Sequence, residues 1–124
     1  MATPSRRAIL SVSDRETKGV IRSWTGVVDE PSKEKAYLDH LETKVVTELQ
    51  SLPGFQKILV LRRPVSAGTE FRVLSFWDSH QAIRAFAGDT PDVAVVHENA
   101  QALLHSYDRH VDHYEVAIAR GKQD

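Results

Sequence analysis

Residues 55–77 read FQKILVLRRPVSAGTEFRVLSFW, and this central stretch decides the fold. β-Branched, aliphatic and aromatic residues fill both of its ends, which predicts two strands, 55–63 and 70–77. A proline and a glycine lie between them and favour a turn over 64–69. Because so few residues separate the strands, they are expected to pair as an antiparallel hairpin.

On either side of the hairpin the chain adds a strand and a helix. Before it, residues 20–28 predict a first strand, and apolar residues at three- and four-residue spacing over 37–52 predict a helix. After it, residues 78–87 predict a capped helix, 93–105 a further helical segment and 111–118 the last strand. The order β-α-β-β-α-β is typical of a ferredoxin-like fold, an α+β class with a four-stranded antiparallel sheet and its helices on one face.

The sheet is predicted to be apolar on both faces. In the first strand, Val20, Trp24 and Val28 point one way, and Ile21 and Val27 point the other way. The hairpin strands alternate in the same manner. An antiparallel sheet with one face in water shows polar residues on that face, and soluble monomers rarely expose a large apolar patch. We therefore expect a homodimer, in which a second copy of the chain covers this face of the sheet.

Composition excludes several classes of protein. The chain has 124 residues, a formal net charge of −1 and no Cys, which argues against a nucleic-acid partner, disulfides and thiolate chemistry. No apolar run approaches the roughly 20 residues of a membrane span. We predict a cytoplasmic protein with a flexible arm over 1–18, one domain over 19–118 and a tail over 119–124. Nicotinamide, flavin and phosphate-loop motifs are absent from the sequence.

Several stretches resemble the antibiotic biosynthesis monooxygenase family. The most specific is FWDSHQAIRAFAG at 76–88, and AVVHE at 94–98, HYEV at 113–116 and RSW at 22–24 support it. The resemblance covers about residues 19–118. It implies a dimeric α/β barrel, in which two ferredoxin-like sheets face each other with the helices outside. The family includes oxygenases of polycyclic aromatic substrates, haem-degrading enzymes and members of no known activity.

The resemblance suggests haem as a cofactor, but the residues at two of the three corresponding positions argue against it. In the haem-degrading members, a His near the position of His97 is the axial iron ligand, with a Trp near the position of Phe86 and an Asn on the first strand. Here that Trp position is Phe86, and residues 20–28 contain no Asn. A His alone can still bind haem, but we expect no efficient haem degradation and no required cofactor.

Two histidines, His97 and His113, are the candidate catalytic residues. His113 alternates with Glu115 in the last strand, so both would point to one face and could form a His–carboxylate general base. The alternatives are a partly exposed helix histidine for His97 and a buried polar pair at the subunit seam for His113. His110 and His113 would project to opposite faces of one strand, so no metal site is predicted.

Four aromatic residues, Trp24, Phe76, Trp77 and Phe86, are the candidate substrate-binding residues. With the histidines they would line an apolar cleft between the sheet and the helices, the kind of place where small ligands bind. The alternative is that they fill the core or an interface.

The function expected from the resemblance is a cofactor-independent monooxygenase of a small, electron-rich aromatic, polyketide-like or quinol-like. A base would remove a proton, the carbanion would react with dioxygen, and the peroxide would collapse. Two alternatives stay open: a small-ligand-binding or stress-related homodimer without turnover, and a protein that binds or degrades haem.

Overall fold

The computed structural model describes residues 19–122 of the chain. The predicted arm, 1–18, and the end of the predicted tail, 123–124, lie outside the described residues. In chain order the elements are β1 (Val20–Val28), α1 (Pro31–His40), a π-helical segment (Leu41–Val45), α2 (Val46–Gln50), β2 (Phe55–Val65), β3 (Gly68–Trp77), α3 (His80–Ala87), α4 (Glu98–Leu103), β4 (Ser106–Tyr107) and β5 (Asp112–Glu115).

The strands form one antiparallel sheet in the order β2-β3-β1-β4, and β5 also pairs with β1. β1 and β3 pair along their whole lengths, from Val20 opposite Trp77 to Val28 opposite Thr69. On its other side β1 pairs with β4 near its end and with β5 near its start. The predicted fourth strand is therefore present in two pieces. This topology confirms the α+β, ferredoxin-like fold.

The hairpin turn is tighter than its sequence predicts. Pro64 pairs with Thr69 and Val65 with Gly68, so only residues 66–67 form the turn. Pro64 is tolerated in a strand because β2 lies at the edge of the sheet, where a missing N–H interrupts no further ladder. Gly68 has φ +144°, and a Cβ built there would lie 2.2 Å from the Val28 carbonyl oxygen. Glycine is therefore required where the hairpin passes the end of β1.

The segment before α4 does not follow the prediction. Residues 93–97 are not helical and α4 begins at Glu98, so the prediction of a helix from 93 to 105 was wrong at its start. Val93 forms an isolated bridge with His110, and the Ala94 N–H donates to the Arg109 carbonyl. These backbone groups are engaged with a distant part of the chain, so they do not form helical hydrogen bonds.

The helix between β1 and β2 is continuous but irregular. Between α1 and α2, the π-helical segment carries a backbone hydrogen bond from Val46 N–H to the Leu41 carbonyl. The Thr43 hydroxyl donates to the Asp39 carbonyl at 2.7 Å, a side-chain bond that competes with the regular ladder. Among residues 19–122, this and the other helices include none long and apolar enough to span a membrane.

The two faces of the sheet differ in how deeply their side chains are buried. Phe71 and Trp77 on β3 are fully buried beneath the helices, in two adjoining core clusters. On the opposite face, called here the outer face, Leu59 and Leu61 are 41% and 46% exposed. Tyr114, opposite Ile21, is 56% exposed. The outer face therefore exposes apolar side chains, with polar ones such as Lys57 and Arg72 between them, and no other element within residues 19–122 covers it.

Candidate active site

A cavity of about 70 Å³ lies between the inner face of the sheet and the helices. Its walls come from β1, β3, α1, α2, α3 and the segment that leads into α4. Most of the lining is aliphatic or aromatic. The polar side chains in the lining are Arg22, Tyr37, His40, Ser75 and His97. An apolar cleft with a few polar groups is the usual form of a small-molecule site.

His40, the last residue of α1, contributes a buried imidazole to this cavity. Its side chain faces the sheet, and its Nε2 atom is buried without a hydrogen-bond partner among residues 19–122. Burial lowers the pKa of His40, and the nearby charges of His97 and Lys44 lower it further. The ring is therefore neutral at pH 7, and Nε2 is available to a polar atom of a bound molecule.

His97 and Glu48 extend the site from His40 towards solvent. The His97 Nε2 lies 3.2 Å from the Glu48 Oε1, and the His97 ring packs edge-on to the His40 ring with 5.8 Å between centroids. His40 and His97 line both the cavity and a cleft on its outer side, which Lys44 and Glu48 also line. The two imidazoles thus lie between the cavity and the outer cleft.

Arg22 on β1 is the charged residue of the cavity wall. Its side chain is buried, with donor bonds from Nη1 to the Pro91 carbonyl and from Nη2 to the Val93 carbonyl at 3.0 Å. Nη1 also lies 3.2 Å from the His113 Nε2. Burial lowers the pKa of Arg22 to about 10, although the charge of Asp92 acts in the opposite direction. The guanidinium therefore stays charged at neutral pH.

His113 is hydrogen-bonded to Arg22 and lies outside the cavity. Its Nδ1 is 3.3 Å from the Asp92 Oδ1, so Asp92 and not the exposed Glu115 is its carboxylate partner. The prediction of a pair with Glu115 was wrong because the Val111 N–H donates to the Asp92 carbonyl, which brings Asp92 beside the start of β5. Burial and the charge of Arg22 lower the pKa of His113. His113 also lines a separate open groove, with His80 and Arg84.

The aromatic candidates are divided between three places. Trp24 and Phe86 line the cavity, with His97. Trp77 is fully buried behind it, stacks on Phe86 with 6.2 Å between ring centroids and donates from Nε1 to the Ser75 hydroxyl at 2.9 Å. Phe76 faces away from the helices, with the Lys57 ammonium 4.6 Å from its ring centroid. The structure therefore does not bring Phe76 or Trp77 to the cavity.

The sequence patterns contained two signals for the polar residues that were missed. His40 lies three residues after Tyr37 and next to Leu41, within the apolar stripe of its helix. Arg22 lies between Val20 and Trp24 on the inward face of β1. Both residues are titratable and occupy an inward position in an otherwise apolar pattern, and this is the signal by which the sequence could have identified them.

The residues of this cavity do not fit haem as they are arranged. The His97 Nε2, the atom that would coordinate iron, faces the Glu48 carboxylate, and about 70 Å³ is far below the volume that a macrocycle needs. Within residues 19–122, no group of three or more His, Cys, Asp or Glu side chains could hold a metal ion.

Comparison with known families identifies the chain at the level of its family. Residues 30–105 match the family model described as antibiotic biosynthesis monooxygenase. The chain therefore belongs to the antibiotic biosynthesis monooxygenase family, as the motifs at 76–88 and 94–98 implied. No curated protein sequence matches it significantly.

Solved structures share the fold at low sequence identity. A Bacillus cereus protein assigned as an antibiotic biosynthesis monooxygenase has a TM-score of 0.60 and 17% identity, covering 86% of this chain and 99% of its own. The haem degrader MhuD of Mycobacterium tuberculosis, with two haems in its active site, has a TM-score of 0.57 and 19% identity, covering 82% and 99%. The ActVA-Orf6 monooxygenase of Streptomyces coelicolor, in complex with nanaomycin D, has a TM-score of 0.56 and 18% identity, covering 86% and 95%.

Proposed function

We propose that this chain is a cofactor-independent monooxygenase of a small, electron-rich aromatic that binds in the cavity. One observation carries the proposal: the His40 Nε2 is buried at an apolar cavity and has no partner among residues 19–122. A neutral imidazole in such a place can act as a general base on a bound phenol or activated C–H group. The Streptomyces coelicolor relative, a monooxygenase in complex with nanaomycin D, supports the reaction class.

The reaction needs only the substrate, dioxygen and proton transfers. His40 removes a proton from the substrate, and the resulting anion bonds through carbon to dioxygen, which is reduced to a bound peroxide. The imidazolium returns the proton to the outer peroxide oxygen. His40 then removes the remaining hydrogen of that carbon as a proton while the O–O bond breaks. One oxygen stays on the product as a carbonyl, and the other leaves as water.

His97 and Glu48 would move protons between His40 and solvent. The His97 Nε2 lies 3.2 Å from the Glu48 Oε1, a contact that orients the imidazole. His97 lies between His40 and the outer cleft, and because no hydrogen bond joins the two rings among residues 19–122, a water or a substrate hydroxyl would have to bridge them. His113 has no contact with the cavity, and its proposed role is to position Arg22.

Oxygen consumption tests the proposed activity. Purified protein is given hydroquinone or an anthrone under labelled dioxygen, and we expect product that carries one labelled oxygen atom. His40→Leu should lower the rate by about a hundredfold or more, the usual size of a general-base contribution. His105→Gln is the matched control, because His105 is exposed, pairs with Asp29 and lies outside the cavity.

The competing functions give different results in the same assay. Saturable binding of both aromatics without oxygen uptake would identify a ligand-binding protein without turnover. Uptake that is unchanged by His40→Leu would remove His40 as the base.

The proposed enzyme is a homodimer through the outer face of the sheet. The exposed Leu59, Leu61 and Tyr114 lie on this face, and a second copy of the same face is complementary to it in polarity. Such pairing would leave the helices, and the cleft beside His97, on the outside of the assembly.

A further inference from the structure

We propose that the substrate is an anion: a single-ring hydroxylated aromatic carboxylate, whose carboxylate is bound by Arg22. This inference rests on the proposed function for the location of the site, and it adds the charge and size of the molecule. It is carried by the unused donors of a buried guanidinium in the cavity wall.

Arg22 is a buried cation without an ion pair. Its side chain is 4% exposed and lines the cavity, and no carboxylate lies within ion-pair distance of it among residues 19–122. Its acceptors are two backbone carbonyls and the His113 imidazole. Asp92 lies beyond His113, with its Oδ1 3.3 Å from the His113 Nδ1, and its charge compensates that of Arg22 only in part. A buried charge is costly unless an opposite charge compensates it, and an anionic substrate would complete that compensation.

The donors of Arg22 that remain are suited to a carboxylate. A guanidinium has five N–H groups. Nη1 uses both of its hydrogens, on the Pro91 carbonyl and the His113 Nε2, and Nη2 uses one on the Val93 carbonyl. Nε–H and one hydrogen of Nη2 are left. These are adjacent, and together they can donate to the two oxygens of one carboxylate.

The residues around Arg22 indicate which chemical groups the substrate carries besides its carboxylate. The guanidinium carbon lies 5.8 Å from the Phe86 ring centroid, so a ring joined to a carboxylate at Arg22 would meet an aromatic wall. His40, on another element of the lining, offers Nε2 to a ring hydroxyl. The cavity of about 70 Å³ is smaller than the roughly 150 Å³ of a cavity that holds benzene, so the lining must move to admit any ring, and a single ring requires the least movement. A hydroxylated benzoate combines these features.

Binding under argon tests the inference without turnover. The probes are gentisate, a hydroquinone that bears one carboxylate, and gentisamide, its neutral carboxamide. Binding of each is measured by quenching of the tryptophan fluorescence, to which Trp24 and Trp77 both contribute. We expect gentisate to bind at least about tenfold more tightly, because a bidentate charged hydrogen bond is worth about that factor or more. Arg22→Gln should reduce the ratio to about one. Arg84→Gln removes the same charge from the separate groove and should leave the ratio unchanged.

Each result decides the inference. Equal binding of the two probes to the unmodified protein overturns it, whether or not any variant folds. Should Arg22→Gln fail to fold, Arg22→Lys keeps the charge without the paired donors, and we expect that variant to retain a smaller preference for gentisate. Because no oxygen is present, loss of the preference is distinguishable from failure of the proposed oxygenase activity, which the oxygen assay reports.

Discussion

Two buried polar residues give the cavity its chemistry, and both have an energetic cost. An unpartnered buried nitrogen such as the His40 Nε2 costs about 1–3 kcal/mol of stability, and a ligand atom can remove that cost. Hydrogen bonds from Arg22 to the Pro91 and Val93 carbonyls offset part of the free-energy cost of burying its charge. Polar groups retained at such a cost are more common at functional sites than elsewhere.

The lowered pKa values of His40 and His113 make stability depend on pH. Each imidazole binds a proton less readily in the folded protein than its ordinary pKa of 6.5 allows. The unfolded chain therefore binds more protons below that pH, and the free energy of unfolding falls as pH falls through the lowered folded-state values. Above pH 6.5 this contribution is fully present.

We expect His40→Leu to flatten this pH dependence, because it removes one of the two shifted groups. Urea unfolding of the unmodified protein and the variant at pH 7.5 and pH 5.5 measures the slope. If the free energy of unfolding changed equally with pH in the two proteins, His40 would have the same pKa in the folded and the unfolded chain.

A comparison of Phe86 with Phe71 distinguishes a residue of the cavity wall from a residue of the solid core. Phe71 is fully buried, so Phe71→Ala should cost about 3–5 kcal/mol of unfolding free energy. Phe86 is only partly buried and lines the cavity, so Phe86→Ala should cost about 1–2 kcal/mol, since fewer contacts are lost. Denaturant unfolding of both variants checks the difference. Equal losses would mean that Phe86 belongs to a solid core.

At the scale of elements, local pattern predicted most of the fold. The alternation in residues 55–77 and the apolar spacing of 37–52 gave the right strands and helix, because their own side chains decide how they pack. The predicted start of the helix over 93–105 was wrong, since the Val93 carbonyl accepts from Arg22, 71 residues earlier in the chain. No local pattern reports such a bond.

The candidate site was predicted less completely than the fold. Trp24, Phe86 and His97 do meet at one cavity. Phe76 and Trp77 could not both line it, because neighbouring residues of a strand point to opposite faces. The roles of the predicted catalytic and binding residues remain predictions.

Two effects make Gly68 necessary for the β2–β3 hairpin: its positive φ and the close approach of the Val28 backbone. A comparison with Gly88, which has only the first, measures each effect. Both Gly68 and Gly88 have positive φ, but a Cβ at Gly88 meets nothing within 4 Å, whereas at Gly68 it meets the Val28 backbone. Gly88→Ala should cost about 1 kcal/mol of unfolding free energy from backbone strain alone. Gly68→Ala should cost at least about 2 kcal/mol more, because backbone must move.

Thermal or urea unfolding of the two glycine variants measures this difference. A Gly68→Ala variant as stable as Gly88→Ala would show that the end of β1 can move away from the hairpin without loss.

At the scale of the whole molecule, the uncovered outer face predicts association. We expect sedimentation equilibrium at micromolar concentration to give twice the 13.9 kDa of one chain. Leu59→Asp should shift the protein towards the mass of a single chain, because a charge would be buried in the interface. Val93→Asp is the control, since Val93 is similarly exposed but lies outside the outer face. A stable single-chain mass for the unmodified protein would contradict the homodimer.

The division of the fourth strand into β4 and β5 has a consequence for aggregation. Open strand edges allow other chains to add to a sheet and extend it into fibrils. Here β4 and β5 have only two and four residues, so neither is a long template. The opposite edge, β2, has eleven residues, but Arg62, Arg63 and Pro64 follow one another along it and discourage further strand pairing. Both edges of the sheet are thus protected against fibril growth, while the apolar outer face remains free for a partner.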